Sequence, residues 1–450
     1  MKNRPIQQMR AEAEEIFKSA VAAVNPYRAV RRYVRLEGSR LSVGPGEQPV
    51  VELELGQYDR ILLVGGGKAT APMAKAMEAL LGARLSQGII NVKYGFGADL
   101  AVTEIVEADH PLPDQQGVEG TAKILSLLQD AGEKDLIISL ISGGGSALLV
   151  QPAGGITLEE MQDLTRSLLE CGASIDEINT LRKHISSVKG GQMARAAMPA
   201  TTINLMLSDV VGDPMDVIAS GPFVPDTSTF EGAWQILEKY DLNEIPAAIR
   251  SHLKQGVEGL IPDTPKAGDP AFERVYNLII GSNILALEAA EEKAKSFGYH
   301  TLILSSMIEG ETREVARVHT GIVREMMKSG RPIPCPGCVI SGGETTVTIR
   351  GKGLGGRNQA FCLAAALELK DLPPRVVVLS GGTDGDDGPT KAAGAIVDAL
   401  TVTRGKEAGI SASDSLGNND AYHFFEKTGD LLLTGPTGTN VMDVRLVLVG

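Results

Sequence analysis

The sequence predicts an α/β fold with two domains, each built on a largely parallel or mixed sheet that helices cover. Short apolar runs recur along the 450 residues, and each ends in a small polar turn, usually glycine-rich, that a helical stretch often follows. Near-continuous apolar strands that alternate with helices are typical of sheets buried on both faces. The chain also exceeds the length at which a single core stops growing, which predicts two domains.

The predicted elements are distributed over both halves of the chain. Residues 256–270 are rich in glycine and proline without periodicity, so we expect residues 1–255 and 256–450 to form the two domains. An amphipathic helix is predicted over residues 6–25 from its apolar spacing. The strands predicted from apolar runs are 61–64, 105–108, 136–141, 203–207, 278–280, 338–340, 376–379 and 431–433.

Composition and charge exclude several classes of protein. The net charge of -13 argues against a nucleic-acid partner, because phosphate backbones require a basic protein face. No apolar stretch approaches the roughly 20 residues of a membrane span, and residues 1–5 lead into a polar stretch with no signal-peptide core. We therefore expect a cytoplasmic protein without a membrane partner. The 52 glycines are expected in turns, where a ligand can approach the backbone.

The first glycine-rich turn, Gly-Gly-Gly-Lys at residues 65–68, fits neither common nucleotide motif. A P-loop would need glycine at Leu62 and a hydroxyl residue at Ala69, and a dinucleotide fingerprint would need glycine at Thr70. What remains is a set of backbone N–H groups at a helix N-terminus with one cation, Lys68, which is an anion site. The alternative is a plain tight turn with a solvated lysine.

A second turn, Ser-Gly-Gly-Gly-Ser at residues 142–146, follows a strongly apolar run. It offers flexible amides between two hydroxyl groups, which suits a phosphate or a carboxylate. Neither serine lies in a Gly-x-Ser-x-Gly elbow, so a serine hydrolase is not supported. Further Ser-Gly-Gly turns at 341–343 and 380–382 also follow apolar runs, and together these turns favour phosphate handling.

Residues 179–191 form the most basic local run of an acidic protein. A helix would place Arg182, Ser186 and Lys189 on one face, where they could hold a carboxylate or phosphate. The alternative is an ordinary solvated basic face.

Acidic residues and one arginine complete the candidate chemistry. Asp-containing loops at 208–213 and 384–388 follow apolar runs, and one or two carboxylates suffice for Mg²⁺ in kinase sites. A plain Asp-Gly turn is the alternative for the second loop. Arg357 opens a predicted helix that runs to Leu369, where a cation gains nothing from the helix dipole. Its position suggests that it binds an anion.

These motifs together resemble the glycerate 2-kinases of the MOFRL type, some of which carry the older label hydroxypyruvate reductase. The similarity spans nearly the whole chain, from residues 65–68 to 433–441, and includes 110–114, 179–191 and 355–359. It implies a Rossmann-like N-terminal domain, a MOFRL C-terminal domain and an active site in the cleft between them. It also implies ATP, Mg²⁺, D-glycerate as acceptor and 2-phosphoglycerate as product.

The motifs and the resemblance together give the site residues. The resemblance points to Lys68 and Arg357 as the residues whose loss most damages catalysis. Asp209 is our candidate to orient or deprotonate the 2-hydroxyl, and Asp384 or Asp386 is expected to hold Mg²⁺. Residues expected to bind substrate or ATP are Gly66, Gly67, Ser142, Gly143, Gly144, Gly145, Ser146, Arg182, Lys189, Asp213, Glu344, Asn358 and Thr383. Glu344 is a second candidate for the base or the metal ligand.

Two other functions stay open at this point. The first is an NAD(P)H-dependent hydroxypyruvate reductase, although the dinucleotide glycine and a ribose-binding acid are missing. The second is an anion-binding module without catalysis, which leaves the acidic loops unexplained. Expected partners are D-glycerate and a nucleotide, and a homodimer is compatible with the sequence.

Overall fold

Helices and strands alternate along the described chain. The computed structural model describes residues 4–46, 48–242 and 244–450. The strands are β1 (Val34–Glu37), β2 (Arg40–Val43), β3 (Val51–Glu54), β4 (Arg60–Gly66), β5 (Gln87–Lys93), β6 (Thr103–Ala108), β7 (Asp135–Ile141), β8 (Thr201–Leu207), β9 (Val275–Gly281), β10 (His300–Ser305), β11 (Gly337–Gly343), β12 (Val376–Gly382), β13 (Gly394–Asp398), β14 (Leu431–Leu432) and β15 (Asp443–Val449). The α-helices are α1 (Ile6–Ala23), α2 (Pro26–Tyr33), α3 (Thr70–Leu81), α4 (Gln115–Gln129), α5 (Gly145–Leu148), α6 (Leu158–Glu170), α7 (Ile175–His184), α8 (Gln192–Ala196), α9 (Phe230–Lys239), α10 (Ala247–Val257), α11 (Asn283–Ser296), α12 (Thr312–Ser329), α13 (Arg357–Leu369), α14 (Thr401–Glu407), α15 (Ala412–Gly417) and α16 (Ala421–Thr428). Every predicted strand coincides with or overlaps an observed one, and the predicted N-terminal helix is α1.

The chain forms two compact units. The first, called the 26–280 unit below, consists of Pro26–Ser208 and Asp213–Ile280. The second, called the 281–450 unit, consists of Met1–Asn25, Asp209–Gly212 and Gly281–Gly450. The predicted domain boundary after residue 255 stays a prediction, although the compact units place β9 with the first unit.

The 26–280 unit is built on a six-stranded sheet with the order β6-β5-β4-β7-β8-β9. β4 pairs in parallel with β5 and β7, and the outer pairs β5–β6 and β7–β8 are also parallel. β5 and β6 are therefore placed in sequence on one side of β4, and β7 is then placed on its other side. In such sheets ligands bind beyond the carboxyl ends of the strands at this reversal. The turns after β4 and β7 are thus the expected location of a site.

The 281–450 unit has a mixed sheet with the order β10-β11-β15-β12-β13-β14. β10 and β11 are parallel, whereas β15 pairs antiparallel with both β11 and β12. Alternate residues of β12 point to opposite faces. Val377 and Leu379 pack in the cluster that contains Phe17 of α1, and Val376 and Val378 pack in the cluster that contains α13. The predicted fold class, two α/β domains with parallel or mixed sheets, is confirmed.

None of the helices in the described part of the chain has the length and apolar character needed to cross a lipid bilayer.

Candidate active site

The turns after β4 and β7 are hydrogen-bonded to each other. Lys68 N donates to the carbonyl oxygen of Gly143 at 2.9 Å, and Ala69 N donates to Ser142 Oγ at 3.0 Å. Ser142 Oγ also lies 3.2 Å from Thr70 Oγ1. These bonds hold the two predicted glycine-rich turns side by side at the reversal of the sheet. The structure thus brings residues 66–68 and 142–146 together.

Gly67 makes this close approach possible. A Cβ at this position would lie 2.2 Å from Ser142 Oγ and 2.5 Å from Ser142 O, and the backbone φ is +141°. We expect Gly67→Ala to lower the free energy of unfolding by roughly 2–4 kcal/mol, because it adds a clash to a strained backbone. Gly56→Ala is the matched control, since nothing lies within 4 Å of its added Cβ. Chemical denaturation measures both, and equal losses for the two variants would contradict the prediction.

A pocket of about 330 Å³ opens beside these turns. It is lined by four of the predicted site residues, which are Gly144, Ser146, Arg182 and Lys189. A Cβ at Gly144 would lie 3.0 Å from His110 Cδ2 and 3.2 Å from Lys68 Cε, so both side chains border the turn. Cationic side chains and a glycine-rich turn therefore lie together at one edge of the 26–280 unit.

The predicted alignment of Arg182, Ser186 and Lys189 on one helical face is wrong. α7 ends at His184, so only Arg182 of the three is helical. Beyond the helix, Ser186 forms an antiparallel bridge with Pro152, which takes the chain off the helical path. The residues still share one region, because Arg182 and Lys189 both line the pocket.

Lys189 and Arg182 have different surroundings in that pocket. Lys189 is buried, and its Nζ donates to the carbonyl oxygens of Ser146 at 2.7 Å and Leu149 at 3.0 Å. Burial, together with the charge of Arg182, lowers the pKa of Lys189 to about 7. Burial also lowers the pKa of Arg182, whose side chain has no hydrogen-bond or ion-pair partner within residues 4–46, 48–242 and 244–450. Among the described residues, Arg182 therefore presents a cation without a counter-ion to the pocket.

His110 is neutral at pH 7 in this setting. Burial, with the positive charges of Lys68 and Lys93, lowers its pKa to about 4. We expect an NMR titration of the imidazole to give a value well below the ordinary pKa of about 6.5. Lys68→Met should raise the value because it removes one positive charge. An unshifted His110, or one that ignores the Lys68 change, would refute this electrostatic description.

The same shift predicts a pH dependence of stability. Between about pH 6.5 and 4 the unfolded chain binds a proton on His110 that the folded chain does not. The contribution of His110 is thus present above pH 6.5 and is lost as the pH falls towards 4. His110→Asn should reduce the drop in unfolding free energy over this range. The exposed His300→Asn serves as control, and equal slopes for both variants would count against the prediction.

Arg357 is the centre of the polar cluster in the 281–450 unit. It begins α13, and its Nε donates to the two carboxylate oxygens of Asp443 at 3.0 and 2.8 Å. Its Nη1 lies 2.7 Å from Glu344 Oε1. Burial disfavours the charged guanidinium, but Asp443 and Glu344 outweigh this effect and raise the pKa of Arg357. The sequence predicted the place of Arg357 at the helix start, and its carboxylate partners hold it there.

Asp443 and Arg445, which sequence reasoning missed, complete this cluster. Asp443 has no exposed surface, and it accepts hydrogen bonds from Asn358 Nδ2 and Arg445 Nη2, each at 2.8 Å, in addition to those from Arg357. Arg445 is also buried and donates to Gly342 O at 3.2 Å. A buried carboxylate needs this many donors, because an unpaired charge in the interior is costly. Asn358, a predicted binding residue, therefore has a structural partner at this position.

Asp387 was also missed, and it caps α13. Its carboxylate accepts from the backbone N of Asn358 at 3.0 Å and of Gln359 at 2.8 Å. Burial raises its pKa to about 6, although these bonds oppose the shift. The acidic loop that the sequence assigned to metal binding thus contributes one residue to the start of the helix that carries Arg357.

Thr383, Asp384 and Asp386 lie on the turn that follows β12. The Thr383 hydroxyl donates to Met442 O at 2.7 Å and accepts from Val441 N at 2.8 Å, so it links the turn after β12 to the segment before β15. Asp386 N donates to Asp384 Oδ1 at 3.2 Å, which places these two predicted metal ligands on one turn. Thr383 is therefore a residue that holds this turn in place.

Negative charge accumulates around Glu344. Burial raises its pKa, and the carboxylates of Asp443, Asp209 and Asp384 raise it further, against the opposing charge of Arg357. Asp209 thus lies within electrostatic reach of this cluster, whereas Asp213 belongs to the 26–280 unit. In the described ranges no group of three or more His, Cys, Asp or Glu side chains could hold a metal ion.

The fold and the two polar regions define an α/β protein of two units, each with cationic side chains beside glycine-rich turns that suit small anionic molecules. Residues 12–254 match the domain of unknown function DUF4147, and residues 337–443 match the MOFRL family.

Known proteins similar to this chain carry related names. The Glycerate 2-kinase of Pyrococcus horikoshii is 41% identical over 96% of this chain and 95% of its own length. The D-glycerate 2-kinase of Thermotoga maritima is 41% identical over 97% of both chains. A protein of Agrobacterium vitis, provisionally named hydroxypyruvate reductase, is 42% identical over 87% of both. The crystal structure of the Thermotoga maritima glycerate kinase superimposes with a TM-score of 0.88, at 40% identity, over 99% of this chain and all of the other. The chain belongs to the glycerate kinase family.

Proposed function

We propose that this protein transfers the γ-phosphate of ATP to the 2-hydroxyl group of D-glycerate. The observation that carries the proposal is the similarity, at 41% identity over nearly the whole chain, to proteins named glycerate 2-kinase and D-glycerate 2-kinase. The geometry supports it, since each unit presents a cation and glycine-rich turns at the ends of its strands. Both reactants are anions, and both require such groups.

Lys68 and Arg357 serve to neutralise charge in this proposal. Phosphoryl transfer depends mainly on positioning and on stabilising the charge of the transferred group. The backbone N–H groups of Gly67, Lys68 and Ala69 all donate within the 26–280 unit, so the side chain of Lys68, and not the backbone of its turn, would meet an anion there. The planar guanidinium of Arg357 suits a carboxylate or a phosphate. We assign the two residues to the phosphoryl group and the glycerate carboxylate, without specifying which binds which.

Asp209 and Glu344 are the proposed groups for the substrate hydroxyl. Either carboxylate could orient the 2-hydroxyl and accept its proton as the phosphoryl group arrives. Partial desolvation, together with the neighbouring carboxylates of Asp443, Asp209 and Asp384, raises the pKa of Glu344, which makes it a better proton acceptor than an isolated carboxylate. Its contact with Arg357 would place that proton acceptor beside a substrate-binding cation.

The turn that carries Asp384 and Asp386 offers the kind of ligands that hold Mg²⁺ in kinases. Mg²⁺ is commonly held by one or two carboxylates, with phosphate oxygens and waters completing its octahedron. Asp384 and Asp386 lie on one turn, and Asp384 adds to the excess negative charge at Glu344. We propose that Asp384 or Asp386 holds the ion, directly or through water. Bound there, the ion would supply charge neutralisation for the ATP phosphates.

An enolase-coupled assay tests the function. The protein is incubated with ATP, Mg²⁺ and D-glycerate, and enolase is then added without phosphoglycerate mutase. Direct consumption of the product by enolase is expected, because enolase acts on 2-phosphoglycerate. A product that needs the mutase would be the 3-isomer and would overturn the position of transfer, and no product would overturn the kinase itself.

The reductase alternative fits the sheet less well. The position of the third fingerprint glycine is Thr70, the first residue of α3. The next strand, β5, ends at Lys93, where a dinucleotide-binding domain carries an acid for the ribose hydroxyls. Tight NADH binding in a fluorescence titration would revive this alternative.

A further inference from the structure

One wall of the pocket in the 26–280 unit is apolar. Leu112 lies on the loop after β6, and Met161 and Leu169 lie on α6, and all three line the pocket with Val150. Gln162 Nε2 donates to Pro113 O at 2.7 Å, which ties that loop to α6. The loop and the helix therefore form the two sides of an apolar slot.

The rim of this slot exposes two leucines to solvent. Leu112 and Leu169 are each 63% exposed, although other large apolar residues around them, such as Met161 at 6%, are buried. Isolated exposed leucines are ordinary, but two that flank one opening form a surface that an apolar ligand group would cover.

Cationic side chains line the same pocket. Arg182 and Lys189 line it, and Gly144 connects it to the turn that borders Lys68. Arg182 lacks a carboxylate partner in the described chain, and burial lowers its pKa. An incoming anion would remove this unfavourable state, because a buried charge is stable only when paired. The lining of the pocket thus combines apolar side chains with a cation that has no counter-ion in the described chain.

We propose that this pocket binds the nucleotide, with the base in the slot between Leu112 and Leu169 and the phosphates towards Arg182 and the Gly144 turn. The inference rests on the proposed kinase function and assigns one of its two substrates. A small, wholly polar hydroxy acid has no group for the apolar slot. A nucleoside triphosphate joins an aromatic base to a chain of anions, and the pocket volume of about 330 Å³ suits a ligand of that class.

Two kinds of variant separate the apolar and the cationic parts of the lining. We expect Leu112→Gln/Leu169→Gln to weaken ADP binding about tenfold, because the base loses its apolar contacts, and to leave inorganic tripolyphosphate binding within about twofold. We expect Arg182→Gln to weaken both ligands about tenfold or more, since both present phosphates. Calorimetry measures ADP and tripolyphosphate binding to the full chain, and KM for ATP and for glycerate is measured in parallel.

Controls keep the test independent of folding and of catalysis. Leu260 is 71% exposed and lies outside the pocket lining, so Leu260→Gln is the matched control for the leucine change. Arg182→Gln should keep or raise Tm, because it removes a buried unpaired charge, and a lowered Tm would indicate a structural role and contradict the assignment. Unchanged ADP binding in the leucine variant, or a rise in KM for glycerate alone, would also overturn it. A wild-type protein that binds ADP as described but phosphorylates no glycerate would refute the kinase proposal and not the pocket assignment.

Discussion

Replacement of Arg357 by alanine is expected to lower kcat about a thousandfold, because it removes a preorganised cation that would hold either the transferred phosphoryl group or the glycerate carboxylate. The side chain is held by Asp443 and Glu344, so its position is set before substrate binds. Preorganised charge of this kind costs no rearrangement during the reaction. Steady-state kinetics with saturating ATP and glycerate measure the effect.

The controls for Arg357 separate catalysis from folding. Asp443 keeps Asn358 and Arg445 as donors in the alanine variant, so the unit should stay folded with a modestly lowered Tm. Arg357→Lys keeps the charge without the planar guanidinium and should recover only part of kcat. Arg317→Ala removes an arginine whose side chain is 62% exposed and should act like wild type. A kcat for Arg357→Ala near wild type would remove Arg357 from the mechanism.

Replacement of Lys68 by alanine should lower kcat about a hundredfold to a thousandfold, because it removes one of the two cations that neutralise the charge of the phosphoryl group and the glycerate in the proposed mechanism. The backbone of this turn is held by the bonds of Lys68 N and Ala69 N to the turn after β7, which the substitution leaves intact. Folding should therefore be little changed. Lys75→Ala, an exposed lysine on the following helix, is the control.

The outcome for Lys68 has a second readout. The positive charge of Lys68 lowers the pKa of His110, so Lys68→Ala should raise the pKa of His110. A changed pKa with an unchanged kcat would mean that Lys68 borders the pocket without serving the reaction.

The strand-and-turn pattern could be predicted from the sequence because it is local. Each predicted strand was a run of apolar residues that ended in small polar residues, and the structure places a strand at every one. β5 was missed because Gly88 and Asn91 interrupt its apolar run. Asn91 is buried because its side-chain amide donates hydrogen bonds to the carbonyl oxygens of Gly117 and Leu148, which are distant in the sequence. The strand order and the antiparallel pairing of β15 depend on such distant contacts, which local pattern does not contain.

The candidate site could be predicted in part. The glycine-rich turns and Arg357 stood out in the sequence, but Asp443, Arg445 and Asp387 did not. A signal for the first two existed, since Asp443 and Arg445 share one side of the otherwise apolar strand β15 and each requires a buried partner. The prediction that Arg182 and Lys189 share one helical face was wrong because the bridge between Ser186 and Pro152, which takes the chain off the helical path, is a non-local contact. The predicted cleft between the domains and the site roles stay predictions.

The position of β15 has a consequence for synthesis of the protein. β15 lies between β11 and β12, at the centre of its sheet, although it is made after both. α1, which is made before the other described elements, packs against β12 and β15, so this surface is complete only after residues 443–449 have left the ribosome. The 26–280 unit contains no such late strand and can fold during translation. The sheet of the 281–450 unit is expected to be completed only once β15 has been made, when it meets the much earlier helix α1.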